Sequence, residues 1–379
     1  MPWQECTTMS IRREFVRLAE QPQSNVRELC RRYGISPKTA YKWLQRHREH
    51  GEAGLQERSR RPLHSPGRSD PQLEQAVVQL HQRFPYWGAR KLRNLLPAEF
   101  ARPHHSTIDA ILRRHGCRVQ YHAEAAEAPA TRRFEHQQPN ELWQMDFKGH
   151  FLLADRHASR CHPLTLLDDH SRFALCLAAC EGERLELVRP HLIRVFRRYG
   201  LPHRITADNG PPWGSNIAGG LSALEVWLMR LGIEVSHSRP HHPQTQGKLE
   251  RFHQTLKREV LHRAFRDLAH CQRVMTHWRE QYNHERPHEA LDQRPPITRY
   301  QPSRRSYPEQ LPELEYAPGD QVCKVGRIGQ VSFKGRSLFV GGGLAGERVA
   351  LRPTAVDGVY DVVFIHKILR QVDLRQGRA

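Results

Sequence analysis

Near residue 140 the spacing of apolar side chains changes, and no single regular architecture accommodates both parts of the chain. Before that point apolar residues recur at helical intervals. Val26, Leu29, Cys30 and Tyr33 fall at i, i+3, i+4 and i+7, and Leu73, Ala76, Val77 and Leu80 repeat the spacing. Beyond it, "LWQMDFKGHF" sets Trp143, Met145 and Phe147 against polar neighbours, which is the period of two of a strand. A chain of 379 residues is long for one compact domain, so the change of period predicts helical amino-terminal modules followed by an α/β core.

In "SNVRELCRRYGISPKTAYKWL", Gly34 ends the first helix, Ser36 is an N-cap and Pro37 suits a first helical turn. A second helix is expected from about 37 to 48, with Ala40, Trp43 and Leu44 inward. Helix, short glycine turn, helix is the DNA-binding supersecondary unit. Lys38, Thr39, Tyr41, Lys42 and Gln45 would then lie outward, a set able to reach base edges and phosphates. An ordinary helical hairpin is the plainer alternative, and the surrounding Arg27, Arg31, Arg32, Arg46 and Arg48 weigh against it. Residues 1–55 form this module and 56–71 a basic linker. A second helix-turn-helix is expected over 72–119, interrupted at Pro85 and closing with "STIDAILRRHG", from a Ser106 cap to Gly116. Residues 120–139 lack any sustained period and read as another linker.

Lys and Arg number 59 against 40 Asp and Glu, a formal charge of +19, which favours a polyanionic partner through counterion release. Nucleic acid fits better than a membrane. No run approaches the roughly 18 apolar residues of a spanning helix, and "MPWQECTTMS" lacks a signal-peptide core. Cysteines at 6, 30, 117, 161, 176, 180, 271 and 323 make no CxxC pair, which speaks against a disulfide framework or zinc ribbon and for a reducing compartment. His157 with Cys161, or Cys176 with Cys180, would be half of a metal site, but no second half stands at ligand spacing.

Within 140–300, "LTLLDDHSRFALCLAAC" supplies two strands joined by a turn at 168–171, and 184–199 is helical. "RITAD" is a strand; a helix follows around 220–231, then the strand "IEVSHS" and a long helix from about 246. That order predicts a mixed sheet flanked by helices. The segment "LHRAFRDLAHCQRVMTHWREQYN" is expected to pack against its own core. Prolines at 302, 308, 312 and 318 mark a connector over 301–318, and the Gly-separated alternating runs of 319–379 predict a small β-barrel.

Three acids have the placement of one site. Asp146 sits mid-strand among apolar residues, where an ionised carboxylate is costly without compensation. Asp208 ends the strand of "ITADNGPPW" and is delivered to a tight turn at Asn209 and Gly210. Glu250 borders the inward stripe Leu249, Phe252, Leu256 and Val260. Should the two strands be neighbours with the helix across their ends, crowded carboxylates would raise one another's pKa and attract a cation. Oxygen ligands favour Mg²⁺ or Mn²⁺, and two such ions suit a phosphodiester displacement. Asp168 and Asp169 read as hairpin-turn residues, with Asp169 supporting the fold; Glu225 and Glu259 read as ordinary exposed helix acids.

Taken together, "WQMDF", "DDHSRF", "ITADNG", "HSRPHHPQTQGKLERFHQTLK" and "YNHERPHEAL" resemble the integrase core of bacterial insertion-sequence DDE transposases, the insertion sequence 481 group above all, related to retroviral integrases. The resemblance covers roughly 135–300. It implies a ribonuclease H-like fold, with Asp146, Asp208 and Glu250 standing where the family has its catalytic metal ligands, for two Mg²⁺ or Mn²⁺ ions. It also implies that Lys248 and Arg251 face the DNA backbone and that His241 or His242 lies near the cleavage site. Forty-one residues separate Asp208 from Glu250, against about 35 in these transposases by analogy; the surplus falls in "PPWGSNIAGGLSALEVW". A retroviral-type HHCC zinc domain is not evident.

The implied function is a transposase that binds terminal inverted repeats and target DNA, both double-stranded, as a homo-oligomer in the bacterial cytoplasm and nucleoid. Water would first attack at the element end, and the freed 3′-hydroxyl would then attack target DNA. No activated Tyr or Ser nucleophile and no GxxxxGK[ST] loop is required or visible. A non-catalytic DNA-binding regulator retaining the integrase fold is the alternative. A ribonuclease H-like nuclease acting on RNA hybrids would not need two helix-turn-helix units.

Overall fold

The structure, a computed structural model, describes residues 7–57, 68–117, 135–155, 157, 159–210, 212–214, 220–237 and 247–375. Two compact units divide the chain, Met1–Arg68 and Ser69–Ala379.

Three helices make the first unit: α1 (Thr8–Ala19), α2 (Val26–Tyr33) and α3 (Pro37–His50). The Asn25 side chain accepts from the amides of Arg27 and Glu28 at the start of α2, and Gly34, at φ 61°, ends it in the left-handed region that glycine adopts without strain. Ser36 accepts from the Thr39 amide and so caps α3. Both helices of the expected helix-turn-helix are present. They close with α1 over Phe15, Val16, Cys30, Ala40, Trp43, Leu44 and Leu55.

The second unit begins with another helical module: α4 (Pro71–Arg83), α5 (Ala89–Leu95) and α6 (His105–Arg114). Its core is built on Leu73, Val77, Phe84, Trp87, Leu92, Ile108 and Ile111. Helix α4 stops before Pro85, as a proline in the chain requires. The start of α6 differs from expectation: His104, not Ser106, is the cap, because its ring nitrogen accepts from the Ser106 amide.

Next come β1 (Leu142–Phe147), β2 (Phe151–Leu152), β3 (Arg160–Asp168), β4 (Ala174–Cys180), α7 (Leu185–Tyr199), β5 (Arg204–Ala207), α8 (Ala223–Arg230), β6 (Glu234–His237), α9 (Gly247–Leu256) and α10 (Leu268–His284). The six strands form one mixed sheet in the order β2-β3-β1-β5-β6, with β4 on the outer side of β3. Strands β1, β3 and β4 are antiparallel; β1, β5 and β6 run parallel. Trp143, Met145, Phe147, Ile205 and Ala207 pack with α7 and α8 on one face. On the other, Leu167 and Leu177 meet Leu249, Phe252 and Leu256 of α9 and Cys271, Met275, Trp278 and Tyr282 of α10. Alternation therefore turns Gln144, Asp146 and Thr206 toward the α9 and α10 face.

The outer edge of β4 is closed by side chains of α10. Asn283 bonds both the amide and the carbonyl of Ala174, at 2.8 and 3.0 Å. Arg279 donates to the Leu175 carbonyl at 2.9 Å. Gln272 donates to Leu177 and accepts from the Ala179 amide, at 3.1 and 2.8 Å. A groove of about 650 Å³ runs beside these contacts between β4, α7 and α10, and none of the candidate acids lines it.

At the carboxy terminus are β7 (Gln321–Lys324), β8 (Gln330–Phe333), β9 (Arg336–Phe339), β10 (Arg348–Pro353), β11 (Val359–Phe364) and β12 (Lys367–Asp373). The expected barrel is not what the described residues form. They make an open antiparallel sheet in the order β12-β11-β10-β7, with β8 and β9 pairing as a separate hairpin. The sheet does not need to close on itself to bury Val349, Leu351, Val362 and Phe364, because Leu221 and Val226 of the core join the same cluster. Gly343 permits that approach: a Cβ there would stand 2.1 Å from the Leu221 carbonyl oxygen.

Candidate active site and nucleic-acid interface

The first two acids meet through the parallel pairing of β1 with β5. The last register pair is Gln144 with Thr206. Asp146 and Asp208 each lie two residues further along, at matching depth and on the same face. Asp146 is half-buried while Asp208 is exposed, just past the end of β5. Burial, and next the Asp208 charge, push the Asp146 carboxyl up to about 7. An Asp146 carboxyl whose charge is disfavoured beside Asp208 belongs to a donor set that a hard divalent cation relieves, so the residues fit such an ion.

The backbone around both acids is held by side chains that sequence reasoning missed. Thr165 Oγ donates to the Asp146 carbonyl at 2.7 Å and contacts His253 Nε2 of α9 at 2.8 Å. Burial, followed by the Lys148 charge, holds His253 down to about 3, so its ring is neutral. On the other strand, His237 Nδ1 donates to the Asp208 carbonyl and its Nε2 to Glu225, each at 2.9 Å. The Glu225 contact raises the His237 pKa. Although burial works against it, Glu225 is held below the usual carboxylate range by His237 and the Ser222 amide. Glu225 is thus a buried capping-box residue of α8, not the exposed acid expected.

Helix α9 presents its expected stripe, with Leu249, Phe252, Leu256 and Val260 all buried. Glu250 is exposed in its first turn, and Arg251 is exposed beside it. No group of three His, Cys, Asp or Glu able to hold a metal ion occurs among the described residues. The structure therefore brings Asp146 and Asp208 together and leaves Glu250 outside such a cluster. His241 and His242 lie outside the described residues. Lys248, expected to face a DNA backbone, instead pairs with Asp169 at 2.6 Å with 16% of its side chain exposed. Past α9 the helix widens into a π-helical turn, Lys257–Leu261, that no spacing announced. Glu259 within it is buried rather than exposed, accepting from Trp278 and Arg286.

Asp168 closes the hairpin between β3 and β4 as expected of a turn residue, accepting from the Ser171 amide and hydroxyl and from the Asn140 amide. The half-site pairs fare otherwise. Cys161, Cys176 and Cys180 are buried free thiols within the core.

In the first unit, Lys38, Tyr41, Lys42 and Gln45 stand exposed on α3. Thr39 is half-buried, its hydroxyl 2.9 Å from Ser36 Oγ. Lys42 Nζ lies 4.5 Å from the centre of the Trp43 ring, and Gln45 donates to Glu49 at 2.9 Å.

Comparison with known proteins places families along this framework. Residues 136–243 and 231–296 match two integrase core domain families. Residues 11–62 match a helix-turn-helix domain and 39–112 a homeodomain-like domain. Residues 320–379 match the C-terminal domain of IS481 family transposases. In its C-terminal domain and integrase core segments the chain is similar to the IS481-family transposases. The chain is 28% identical over 247 residues to the insertion element IS476 uncharacterized 39.2 kDa protein of Xanthomonas euvesicatoria, covering 64% of this chain and 69% of that one. It is also 28% identical over 248 residues to the insertion element IS407 uncharacterized 31.7 kDa protein of Burkholderia multivorans, covering 62% and 83%. Among solved structures, a simian T-cell lymphotropic virus intasome aligns at 17% identity and TM-score 0.37, over 75% of this chain and 91% of that chain. No helix among the described residues is long and apolar enough to cross a membrane.

Proposed function

We propose that this transposase cleaves the ends of its element and joins them to target DNA at a site built on Asp146, Asp208 and Glu250. The observation that carries the reading is the meeting of Asp146 and Asp208 on neighbouring parallel strands, within the segment that matches the integrase core. The three carboxylates would hold two Mg²⁺ or Mn²⁺ ions, which when bound activate the attacking oxygen and stabilise the leaving one. In the first step a water oxygen attacks phosphorus at the element end as the P–O3′ bond breaks; the phosphate stays on the 5′ end of the other fragment, and a proton given up by the water is balanced by one taken up by the departing 3′-oxygen, which is left as a hydroxyl. In the second, that hydroxyl oxygen attacks a target phosphodiester, forming one P–O bond as another breaks. Energy is conserved between the esters, so no ATP is needed.

Terminal inverted repeats would be bound by residues 1–55 and 72–119, with Lys38, Thr39, Tyr41, Lys42 and Gln45 of α3 in the major groove and Arg251 along the backbone. The domain limits 120–139, 140–300, 301–318 and 319–379 complete this reading, with 56–71 as linker. Two ends must be joined, so assembly of several copies on DNA follows.

The test is strand transfer from a labelled duplex carrying the inverted repeat that flanks the coding sequence, with Mg²⁺. Removing a ligand worth several kcal/mol in the transition state should lower the rate about 100- to 1000-fold in Asp208→Asn. Equal product from both proteins would remove Asp208 from the chemistry. Repeat binding by the wild type without any cleavage would favour a regulator.

A further inference from the structure

We propose that Asp169, Lys248 and Gln144 form a clamp that positions the first turn of α9, and with it Glu250, against β1. The inference rests on the transposase reading of Glu250. It gives Lys248 a positioning role in place of contact with DNA.

Asp169 lies in the turn between β3 and β4 with 1% of its surface exposed. Its amide donates to the Leu142 carbonyl at 2.9 Å, so the turn is fixed to the start of β1. Four donors converge on its carboxylate. Gln144 Nε2 reaches Oδ1 at 2.8 Å, and the amide and ring of His136 each reach Oδ2 at 3.0 Å. Lys248 Nζ sits 2.6 Å from the same Oδ2 and donates to the Asp169 carbonyl at 3.1 Å. Burial would raise the Asp169 carboxyl, yet Lys248 and His136 hold it below the ordinary range, so it stays ionised at neutral pH.

The other end of Gln144 completes the clamp. Its Oε1 accepts the Leu249 amide at 3.3 Å, one of the first-turn donors that a helix cannot satisfy internally. Two successive residues of α9 are thus tied to the sheet, Lys248 by its side chain and Leu249 by its backbone. Gln144 shares a strand face with Asp146, two residues on, roughly 6.6 Å along the chain. Glu250 follows Leu249 directly. The clamp therefore fixes how far the third acid stands from the first. A phosphate seeking Lys248 would have to displace a buried carboxylate already bonded to it, at a cost typical of breaking a buried pair.

Asp169→Asn, Lys248→Met, their combination and the conservative Lys248→Arg test this in the full chain. Amide exchange of residues 248–251 reads the clamp directly. Single-turnover cleavage of the flanking-repeat duplex with Mg²⁺ reads its effect, and binding of that duplex across a salt series separates positioning from phosphate contact. Each neutral variant should speed exchange of those amides and slow cleavage about 100-fold, the loss expected of a small misplacement. The double variant should be no worse than the poorer single one, because the residues act as a unit. Lys248→Arg should recover most of the rate, and the salt slope should not change. A slope reduced by about one in Lys248→Met, with α9 protection intact, would instead make Lys248 a phosphate ligand. Multiplying losses in the double variant would also overturn the clamp. If Asp169→Asn fails to fold, Lys248→Met against Lys248→Arg decides the same point. Should the wild type cleave nothing, the transposase reading fails, while unchanged exchange in the variants separately overturns the clamp.

Discussion

Glu259 and Arg286 form an ion pair 3.2 Å apart with only 4% and 6% of their side chains exposed. Trp278 donates to the second carboxylate oxygen at 2.9 Å, so the acid is engaged on both sides. Truncating one partner of such a pair strands the other charge in a poorly solvated place. Glu259→Ala should lower the unfolding free energy by about 3–5 kcal/mol in a urea titration. A loss under about 1 kcal/mol would mean that water reaches Arg286 easily.

His191 gives the fold an acid-sensitive point. Burial, and then the Arg194 charge, hold its pKa down to about 4, and Arg194 donates to its Nδ1 at 2.7 Å. Unfolding returns the ring to its ordinary value of 6.5, so the unfolded chain binds more protons between those limits. The contribution is complete above pH 6.5 and is lost as pH falls toward 4. His191→Gln, unable to protonate, should flatten this decline by roughly 2 kcal/mol, the full shift being reduced by solvent screening of this partly exposed ring, read as melting temperature against pH. Parallel curves for the two proteins would remove His191 as the source.

Much of the architecture was legible because its signals are local. Gly34 and Ser36 mark the ends of two helices by their own conformational preferences, and the Leu249, Phe252, Leu256 stripe declares a buried face within three turns. The succession of strands and helices along the core followed from alternation and turns, whereas the order of the strands within the sheet did not. What could not be read depends on residues far apart in the chain. Glu225 and Glu259 look like surface acids until His237 and Arg286 arrive 12 and 27 residues later. Lys248 looks like a free cation until it meets Asp169, 79 residues earlier in the chain. The carboxy-terminal strands alternate as a barrel would, but their inner face is covered by Leu221 and Val226, a contact no local pattern encodes.

That contact makes Gly343 sensitive. A methyl group there would meet the backbone of Leu221, Ser222 and Ala223, none of which can rotate away. Gly343→Ala should cost about 1–3 kcal/mol and increase protease cutting in the connector at 301–318. Gly342→Ala, which meets nothing within 4 Å, should leave both unchanged. Equal behaviour of the two variants would place the tolerance of this junction elsewhere.

The proposed DNA binding by α3 would carry its own measurable signature. Lys38 and Lys42 are exposed on the helix that would enter the groove. If each neutralises one phosphate, Lys38→Ala and Lys42→Ala should each reduce the slope of log affinity against log salt by about 0.9. A slope equal to that of the wild type in both variants would place α3 away from the duplex backbone.

The side chains that cover β4 arrive late. Ala179 waits for Gln272, 93 residues downstream, and Ala174 for Asn283, 109 residues downstream. At a ribosomal pace of 5–20 residues per second, that strand emerges with bare amides and carbonyls for about 5 to 20 seconds before its cover exists. For that interval the nascent sheet is open to a neighbouring polypeptide, and the completion of α10 is the event that ends the hazard.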